Sequence, residues 1–170
     1  MLIVGTYNED GSADAMNAAW GGIYGADRVV LCLSEGHRTT ANIKNKKAFT
    51  VSVADAAHVV PADYVGLVSA NQTPDKLARA GFHATRSAFV DAPLLDELAL
   101  TLECRLVKVN EDGNVIGEIV NVSADGRILD GEGAIDPAKL RPISFDPVHN
   151  AYWTLGERVG SAFADGAALQ

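Results

Sequence analysis

The sequence lacks several features that identify common classes of protein. It has only two cysteines, Cys32 and Cys104, without C-x-x-C spacing, so two reduced core thiols are expected rather than a disulfide or a redox pair. The four histidines are scattered, and none has metal-ligand spacing with another His, Cys or Asp. Walker A and G-x-S-x-G motifs are absent, and the G-x-G at 131–133 has no strand-to-helix context. These absences disfavour a metalloenzyme and a serine hydrolase.

Positive charge is also scarce. The chain has 14 Lys and Arg residues and 22 Asp and Glu residues, which gives a formal net charge of −8. Because an acidic surface repels phosphate backbones, nucleic-acid binding is disfavoured. Any phosphate group that the protein binds must be held by a local basic site.

Length and hydropathy predict one globular domain over residues 1–170. Hydrophobic residues make up 48% and charged residues 21%, which is ordinary for globular proteins. The apolar N-terminal run turns polar after Tyr7 and has no basic flank, so neither a signal peptide nor a membrane span is expected. A cytoplasmic location without membrane association is therefore the expectation.

Short apolar runs that end at tight turns predict a mainly β protein. Asp10-Gly11 and the segment 110–114 (NEDGN) are hairpin turn signals, since Asp-Gly tolerates positive φ. The predicted strands are 2–7, a returning segment over 12–20, 28–33, 48–54, 98–109 and 115–122. In the strand over 98–109, Cys104 and Glu103 are expected on opposite faces. This pattern predicts a β-barrel with appended helices.

Four helical segments are predicted between and after the strands. They cover 39–47, 55–69, a short helix that Thr73 caps and Gly81 ends, and 159–164. The second is expected to begin again at Pro61 as its first helical residue, with Val60, Tyr64 and Leu67 on one face.

The segment 34–40 (SEGHRTT) carries the clearest chemical signal. It follows a predicted strand and leads into a helix, where free backbone N–H groups and a partial positive charge favour anions. The Arg38 guanidinium matches phosphate oxygens, Gly36 permits close approach, and Thr39 and Thr40 add hydroxyl donors. The pattern predicts a phosphate site, although an ordinary capped helix with a solvated arginine would have the same residues.

Together with its neighbours this segment resembles the flavin reductase-like, FMN-binding split-barrel family, of the flavoredoxin kind. The resemblance covers nearly the whole chain and rests on the order and spacing of short motifs. Those motifs are 15–22 (AMNAAWGG), 34–43 (SEGHRTTANI), 48–54 (AFTVSVA), 63–66 (DYVG), Ser69, 75–76 (DK), 93–94 (PL), 102–104 (LEC), 153–157 (WTLGE) and 159–160 (VG). It implies a six-stranded FMN-binding split barrel that forms a homodimer, with FMN near the subunit interface.

Carried onto this sequence, the resemblance implies three groups of cofactor-binding residues. The isoalloxazine ring would lie against Asn17, Ala18, Ala19 and Trp20. The ribityl chain and phosphate would be held by Ser34, His37, Arg38, Thr39 and Thr40. The phosphate side would be closed by Ser69, Ala70, Asn71 and Lys76. Lys76 is expected as a second cation for the phosphate, though a solvated surface lysine fits the sequence equally well. His37 could equally be a loop histidine that faces water. Trp153 is expected at the subunit interface.

The resemblance implies a flavin-dependent oxidoreductase that uses NAD(P)H, in which the flavin performs the chemistry. Many flavin reductases of the family carry a Gly-Asp-His motif in the hairpin after the Glu-Cys strand, whereas residues 111–118 here read EDGNVIGE. The missing histidine favours an alternative, an electron-transfer protein that a redox protein partner reduces. A non-catalytic barrel for another ligand, such as a pyridoxal derivative or haem, is a third alternative.

Overall fold

The computed structural model describes residues 1–170, and most of its regular structure is strand. The strands are β1 (Leu2–Tyr7), β2 (Ala13–Ala18), β3 (Gly21–Ile23), β4 (Arg28–Cys32), β5 (Ala48–Val53), β6 (Ala84–Arg86), β7 (Pro93–Leu95), β8 (Leu100–Val109), β9 (Asn114–Ala124), β10 (Ile143–Asp146) and β11 (Ala151–Thr154). The helices are α1 (Arg38–Lys46), α2 (Val59–Leu67), α3 (Lys76–Arg79) and α4 (Pro137–Leu140), with short 3-10 helices at Gly126–Ile128 and Asp165–Leu169. None of the helices has the length and apolar character that crossing a bilayer requires.

Seven antiparallel strands form the main sheet, in the order β2-β1-β5-β8-β9-β4-β3. Side chains from six of these strands and from α1 meet in one buried cluster, so the sheet must curl around it as a half-barrel. The cluster consists of Val4, Ala18, Val29, Leu31, Leu33, Ile43, Phe49, Val51, Cys104 and Val115. The predicted mainly β split barrel is confirmed, with one strand more than the resemblance implied.

A second buried cluster lies on the other face of the sheet. Because successive strand residues point to opposite faces, Ile3 belongs to this cluster while Val4 belongs to the first. Val65 of α2 and Leu77 of α3 pack into it. Helix α1 therefore lies on one face of the sheet and α2 and α3 on the other, and all three contact the edge strand β2.

The predicted hairpins and most helix positions are confirmed, but two helix starts were wrong. Gly11 has φ +83° in the β1–β2 turn, as its Asp-Gly signal indicated. Helix α2 begins at Val59, two residues before Pro61, which is tolerated because a first-turn N–H has no intrahelical partner. The N-cap of α3 is Asp75 rather than Thr73, and Gly81, at φ +78°, follows its end as expected.

The helix predicted over 159–164 is wrong. The Arg158 guanidinium instead donates to the Gly160 carbonyl and the Ser161 hydroxyl, and Asp165 accepts the Ser161 N–H at 2.8 Å. Such local side-chain bonds compete with helix formation in a short segment that contains glycine. Val159 is fully exposed, so no packing compensates.

The two cysteines differ, against expectation. Both thiols are free, but only Cys104 is buried, whereas Cys32 is exposed. In β4 the buried residues are Val29 and Leu31, so period-two alternation turns Cys32 outward. Glu103 faces away from Cys104, as the alternation predicted, yet it is also buried.

Candidate functional site

A cavity of about 170 Å³ lies where α1, α2 and α3 meet the edge strand β2. Its walls come from β2, from the start of α1, from the end of α2 and from α3. Its lining residues include the predicted residues His37, Arg38, Thr39, Ser69, Ala70 and Lys76, together with Met16 and residues 65–68. The fold thus gathers three segments that are far apart in sequence into the predicted phosphate site.

Arg38 is held at the start of α1 by a short chain of hydrogen bonds. Its Nε donates to Asn71 Oδ1 at 2.9 Å, and the Asn71 N–H donates to Ser69 Oγ at 3.2 Å. The N-cap residue His37 makes no side-chain cap, and the first turn of α1 contains no acidic residue. The first N–H groups of the helix therefore lack intrahelical acceptors beside an oriented guanidinium, which is an arrangement that suits an anion.

The hydroxyls of Thr39 and Thr40 are used inside the protein. Thr39 Oγ1 donates to Asp14 Oδ2 at 2.9 Å, and Thr40 Oγ1 donates to the Ser34 carbonyl at 2.8 Å. Both threonines are buried. Neither hydroxyl proton is free for a phosphate group, so these residues can offer an anion only their backbone N–H groups.

Lys76 borders the cavity, but its charge is already engaged. Its Nζ donates to the carbonyls of Val65 at 3.1 Å and Val68 at 3.3 Å, and it lies 3.4 Å from Asp14 Oδ1. That distance makes an ion pair without a well-formed hydrogen bond, and Asp14 Oδ1 has no other partner. Two of the three ammonium protons go to carbonyls and the charge is paired with Asp14, so Arg38 supplies the free positive charge of the cavity.

A second cavity of about 200 Å³ lies beside the first along β2. Gly66 and Leu67 border both cavities. The remaining lining residues are Met1, Asn17, Ala19, Asp63, Phe145 and Tyr152. Phe145 and Tyr152 face each other across the β10–β11 hairpin, with ring centroids 5.9 Å apart, and Trp20 meets Phe145 edge-on at 6.5 Å. Phe145 and Tyr152 give the cavity an aromatic wall, and Trp20 packs against the Phe145 ring without lining the cavity itself.

One hydrogen bond fixes the polar end of that wall. Tyr152 Oη donates to Asp63 Oδ1 at 2.7 Å. Burial and the Asp63 carboxylate raise the pKa of Tyr152 to about 12. Tyr152 therefore stays protonated at physiological pH and keeps Asp63 oriented.

Asn17 and Gly66 touch so closely that their residue types depend on each other. Asn17 Nδ2 donates to the Ala62 carbonyl at 3.2 Å. A Cβ added at Gly66 would lie 2.1 Å from both Asn17 Nδ2 and Oδ1, which is far inside contact distance. Glycine at position 66 thus gives the Asn17 amide its place at the second cavity.

The structure does not bring every predicted residue to the cavities. Ala18 is buried in the barrel cluster, and Ser34 is exposed and contributes its carbonyl to Thr40. The predicted residues Trp20, Thr40 and Asn71 also line neither cavity. Trp153, which was predicted at the subunit interface, is exposed on β11. The residues that sequence reasoning missed are Met1, Met16, Asp63, Val65, Gly66, Leu67, Val68, Phe145 and Tyr152. A glycine inside a helical pattern, as at Gly66, was a usable signal of close contact.

Comparisons with known proteins agree with this geometry. Residues 1–138 match the family described as flavin reductase like domain. The flavoredoxin of Desulfovibrio vulgaris (Miyazaki F) is 34% identical, with a TM-score of 0.93 over 97% of this chain and 91% of that chain. The flavoredoxin from Methanosarcina acetivorans is 26% identical, with a TM-score of 0.90 over 99% of this chain and 91% of that chain.

More distant structures share the fold. An FMN-binding domain of a flavin reductases-like enzyme from Shewanella baltica is 20% identical, with a TM-score of 0.81 over 94% of this chain and 87% of that chain. No curated protein sequence matches the chain. From the family match and the flavoredoxin likeness together, the chain belongs to the flavin reductase-like domain family.

Proposed function

We propose that this protein binds FMN along β2 and acts as a flavin-dependent oxidoreductase. The observation that carries the proposal is the uncapped start of α1 beside Arg38, whose guanidinium Asn71 orients in the first cavity. The phosphate of FMN occupies this cavity, and the isoalloxazine ring extends into the second. The family match and the similarity to two flavoredoxins support the same cofactor.

Charge supports the assignment of the phosphate end. The whole chain carries −8, so its general field opposes a phosphate dianion. Pairing Lys76 with Asp14 removes one negative charge from the cavity wall and leaves the Arg38 guanidinium unopposed. Arg38 and the N-terminal N–H groups of α1 then provide the local attraction that the phosphate needs.

The second cavity supplies what a flat aromatic ring requires. Phe145 and Tyr152 shield one side from water, and the amide of Asn17 lies at the cavity with an acceptor oxygen that no protein donor satisfies. When bound, the flavin supplies the hydride and electron chemistry. The chain's own part is to hold the ring, exclude water and limit which partners reach it.

The cofactor assignment is tested by titrating FMN into the purified protein and into two arginine variants. Arg38→Ala removes charge-assisted hydrogen bonds to the phosphate, so its Kd for FMN should rise by roughly ten- to a hundredfold. Arg28→Ala removes an exposed arginine of β4 whose side chain pairs with Asp27, and its Kd should stay near that of the unmodified protein. The proposal fails if the unmodified protein does not bind FMN, or if both variants bind it equally well.

The electron donor has two candidates. We propose NAD(P)H as the donor, and a redox protein partner as the alternative. One observation favours the alternative: the β8–β9 hairpin tip carries Glu111 and Asp112, and its residue Asn114 pairs with Cys32 at the end of β4. This places two carboxylates near the segment that leads to Arg38, where they would repel the diphosphate of a nicotinamide dinucleotide.

Anaerobic stopped-flow absorbance separates the two donors. Rapid bleaching of the flavin bands by NADH or NADPH supports the oxidoreductase. Slow bleaching by both nucleotides, with fast bleaching by a reduced ferredoxin, supports the electron-transfer protein. Neutralising the tip with Glu111→Gln and Asp112→Asn should speed the nucleotide reaction if its charge is the obstacle.

We also propose that the protein forms a homodimer. The segment after β11 exposes Leu155, Val159 and Phe163, and Trp153 is 62% exposed. Such a run of exposed apolar side chains is expected to be covered by a second copy of the chain. Sedimentation equilibrium should give twice the chain mass of 17.9 kDa, and Val159→Asp with Phe163→Asp should shift it towards one chain. A monomeric unmodified protein would refute this proposal.

A further inference from the structure

A third cavity, of about 280 Å³, lies away from the two that line β2. It is formed by the residues just before α2, by the 3-10 helix at Gly126–Ile128 and by the end of α4. Its lining residues are Asp55, Ala56, Ala57, His58, Ala99, Arg127, Ile128, Lys139, Leu140 and Arg141. It meets α2 at the opposite end from the first cavity, and the nine residues of this helix span about 13 Å.

The cavity concentrates positive charge in a protein that has little of it. Arg127, Lys139 and Arg141 converge on it, in a chain whose net charge is −8. The only carboxylate in its lining is that of Asp55. All three basic residues are exposed, so water screens their mutual repulsion, but each would still attract an anion that entered the cavity.

The basic side chains keep donors free for a ligand. The Arg141 guanidinium makes no hydrogen bond or ion pair within the chain. The Lys139 ammonium donates one hydrogen bond, to the Leu129 carbonyl, and its other two protons are free. Arg127 is more engaged, since its Nη2 donates to the Glu97 carbonyl at 3.0 Å and its Nε lies 3.5 Å from Asp125. Arg141 and Lys139 are therefore the principal donors of the site.

Asp55 does not cancel this charge by pairing with the basic residues. Its Oδ1 accepts the N–H groups of Ala57 at 2.9 Å and His58 at 3.1 Å, and it lies 2.8 Å from His58 Nδ1. The carboxylate thus caps the turn before α2 and orients the His58 ring. Because those backbone N–H groups are occupied, side chains rather than the helix end must hold a ligand.

We propose that this third cavity binds a small ligand with a phosphate or diphosphate group, independently of FMN. The planar guanidinium of Arg141 can donate two parallel hydrogen bonds to phosphate oxygens, and the Lys139 ammonium adds a compact positive charge. Arg127 adds a second guanidinium from the facing 3-10 helix. Three alanines in the lining leave space for the group and for a compact carrier attached to it.

The test is calorimetric titration of FMN-saturated protein, in which the first cavity is already filled. The probes are inorganic phosphate, diphosphate and adenosine monophosphate. We expect millimolar or tighter binding, weakened roughly tenfold in Arg141→Gln and in Lys139→Gln, as for the loss of one charge-assisted contact. Arg105→Gln removes an exposed, unpaired arginine of β8 and should change nothing. Tighter binding of the nucleotide than of phosphate would identify a nucleotide source, and equal binding would identify the phosphate group alone.

The proposal is overturned if none of the probes binds, or if the Arg105 variant weakens binding as much as the Arg141 variant. Should the protein not retain FMN, the same titrations in the Arg38→Ala background remove phosphate binding in the first cavity. Failure of the FMN proposal and failure of this one are then distinguishable.

Discussion

Two carboxylates, Asp14 and Glu103, are almost completely buried, and the protein stabilises them in different ways. Asp14, on β2 beside the first cavity, is paired with a cation, since Lys76 lies 3.4 Å away and Thr39 donates a hydrogen bond. Glu103, on β8, has no cation. It accepts hydrogen bonds from Ser87, from Asn121 at 2.6 Å and from Ser123 at 2.5 Å.

The difference is reflected in the acidity of Glu103. Burial would raise the pKa of Glu103, but the hydrogen bonds from Ser123, Ser87 and Asn121 outweigh it and hold the pKa below its ordinary value. Neutral donors can thus stabilise a buried anion where no ligand has to bind. Beside the proposed phosphate site, the Asp14 carboxylate is instead neutralised by Lys76, so that Arg38 and the N–H groups at the start of α1 make the cavity positive.

Removing the cation from the Asp14 region should have the largest effect. Lys76→Met leaves the Asp14 carboxylate buried without a cation, and it removes the hydrogen-bond donor of the Val65 and Val68 carbonyls. The free energy of unfolding should fall by about 3–5 kcal/mol. Urea denaturation measures it, with Lys108→Met, an exposed lysine of β8, as the control. A loss no larger than that of the control would mean that the pair does not stabilise the fold.

A smaller effect is expected at Glu103. Glu103→Gln keeps the shape of the side chain but replaces an acceptor oxygen with an amide that meets other donors, at a cost of about 1–3 kcal/mol near neutral pH. Glu118→Gln, an exposed residue of β9, is the control.

The same variant should change the pH dependence of stability. Because the folded pKa of Glu103 is below the unfolded one, its contribution is present above the ordinary value of 4.5 and is lost as pH falls through the folded pKa. Urea denaturation over a pH series should therefore show a flatter acid limb in Glu103→Gln. An unchanged acid limb would contradict the hydrogen-bonded anion.

The smallest perturbation compares the two cysteines. Burial, followed by the charge of Glu103, raises the pKa of Cys104 to about 12, whereas Cys32 is exposed. A thiol reagent should therefore modify one cysteine in the native protein and both in urea, and peptide mapping should place the native label on Cys32. Labelling of Cys104 under native conditions would show that the barrel core opens readily.

Local signals in the sequence predicted the strands and hairpins because their causes are local. Asp10-Gly11 forms its turn whatever lies elsewhere, and the apolar runs around Val51 and Cys104 identify buried strands. The cavities were predicted only in part. The hydroxyl of Thr39 was expected to face a phosphate, but its proton goes to Asp14, which only the folded sheet brings within reach.

The β10–β11 hairpin was not predicted, and its two rings complete the second cavity. Phe145 and Tyr152 form a cross-strand pair, and they reach the cavity only because the hairpin lies against α2, where Tyr152 binds Asp63. Sequence periodicity identifies a strand, but it does not give the surface against which that strand packs. The α2 face of Val60, Tyr64 and Leu67 shows the same limit, because Val60 and Leu67 are exposed while Ala62 and Val65 are buried.

The contact between Gly66 and Asn17 has a consequence for evolution. A side chain at position 66 would displace the Asn17 amide, so neither position can vary independently without altering the second cavity. In descendants of this sequence, we expect the two positions to change together, with any larger residue at 66 accompanied by a smaller one at 17. Such paired changes would mark lineages in which the pocket has been adapted to a different task.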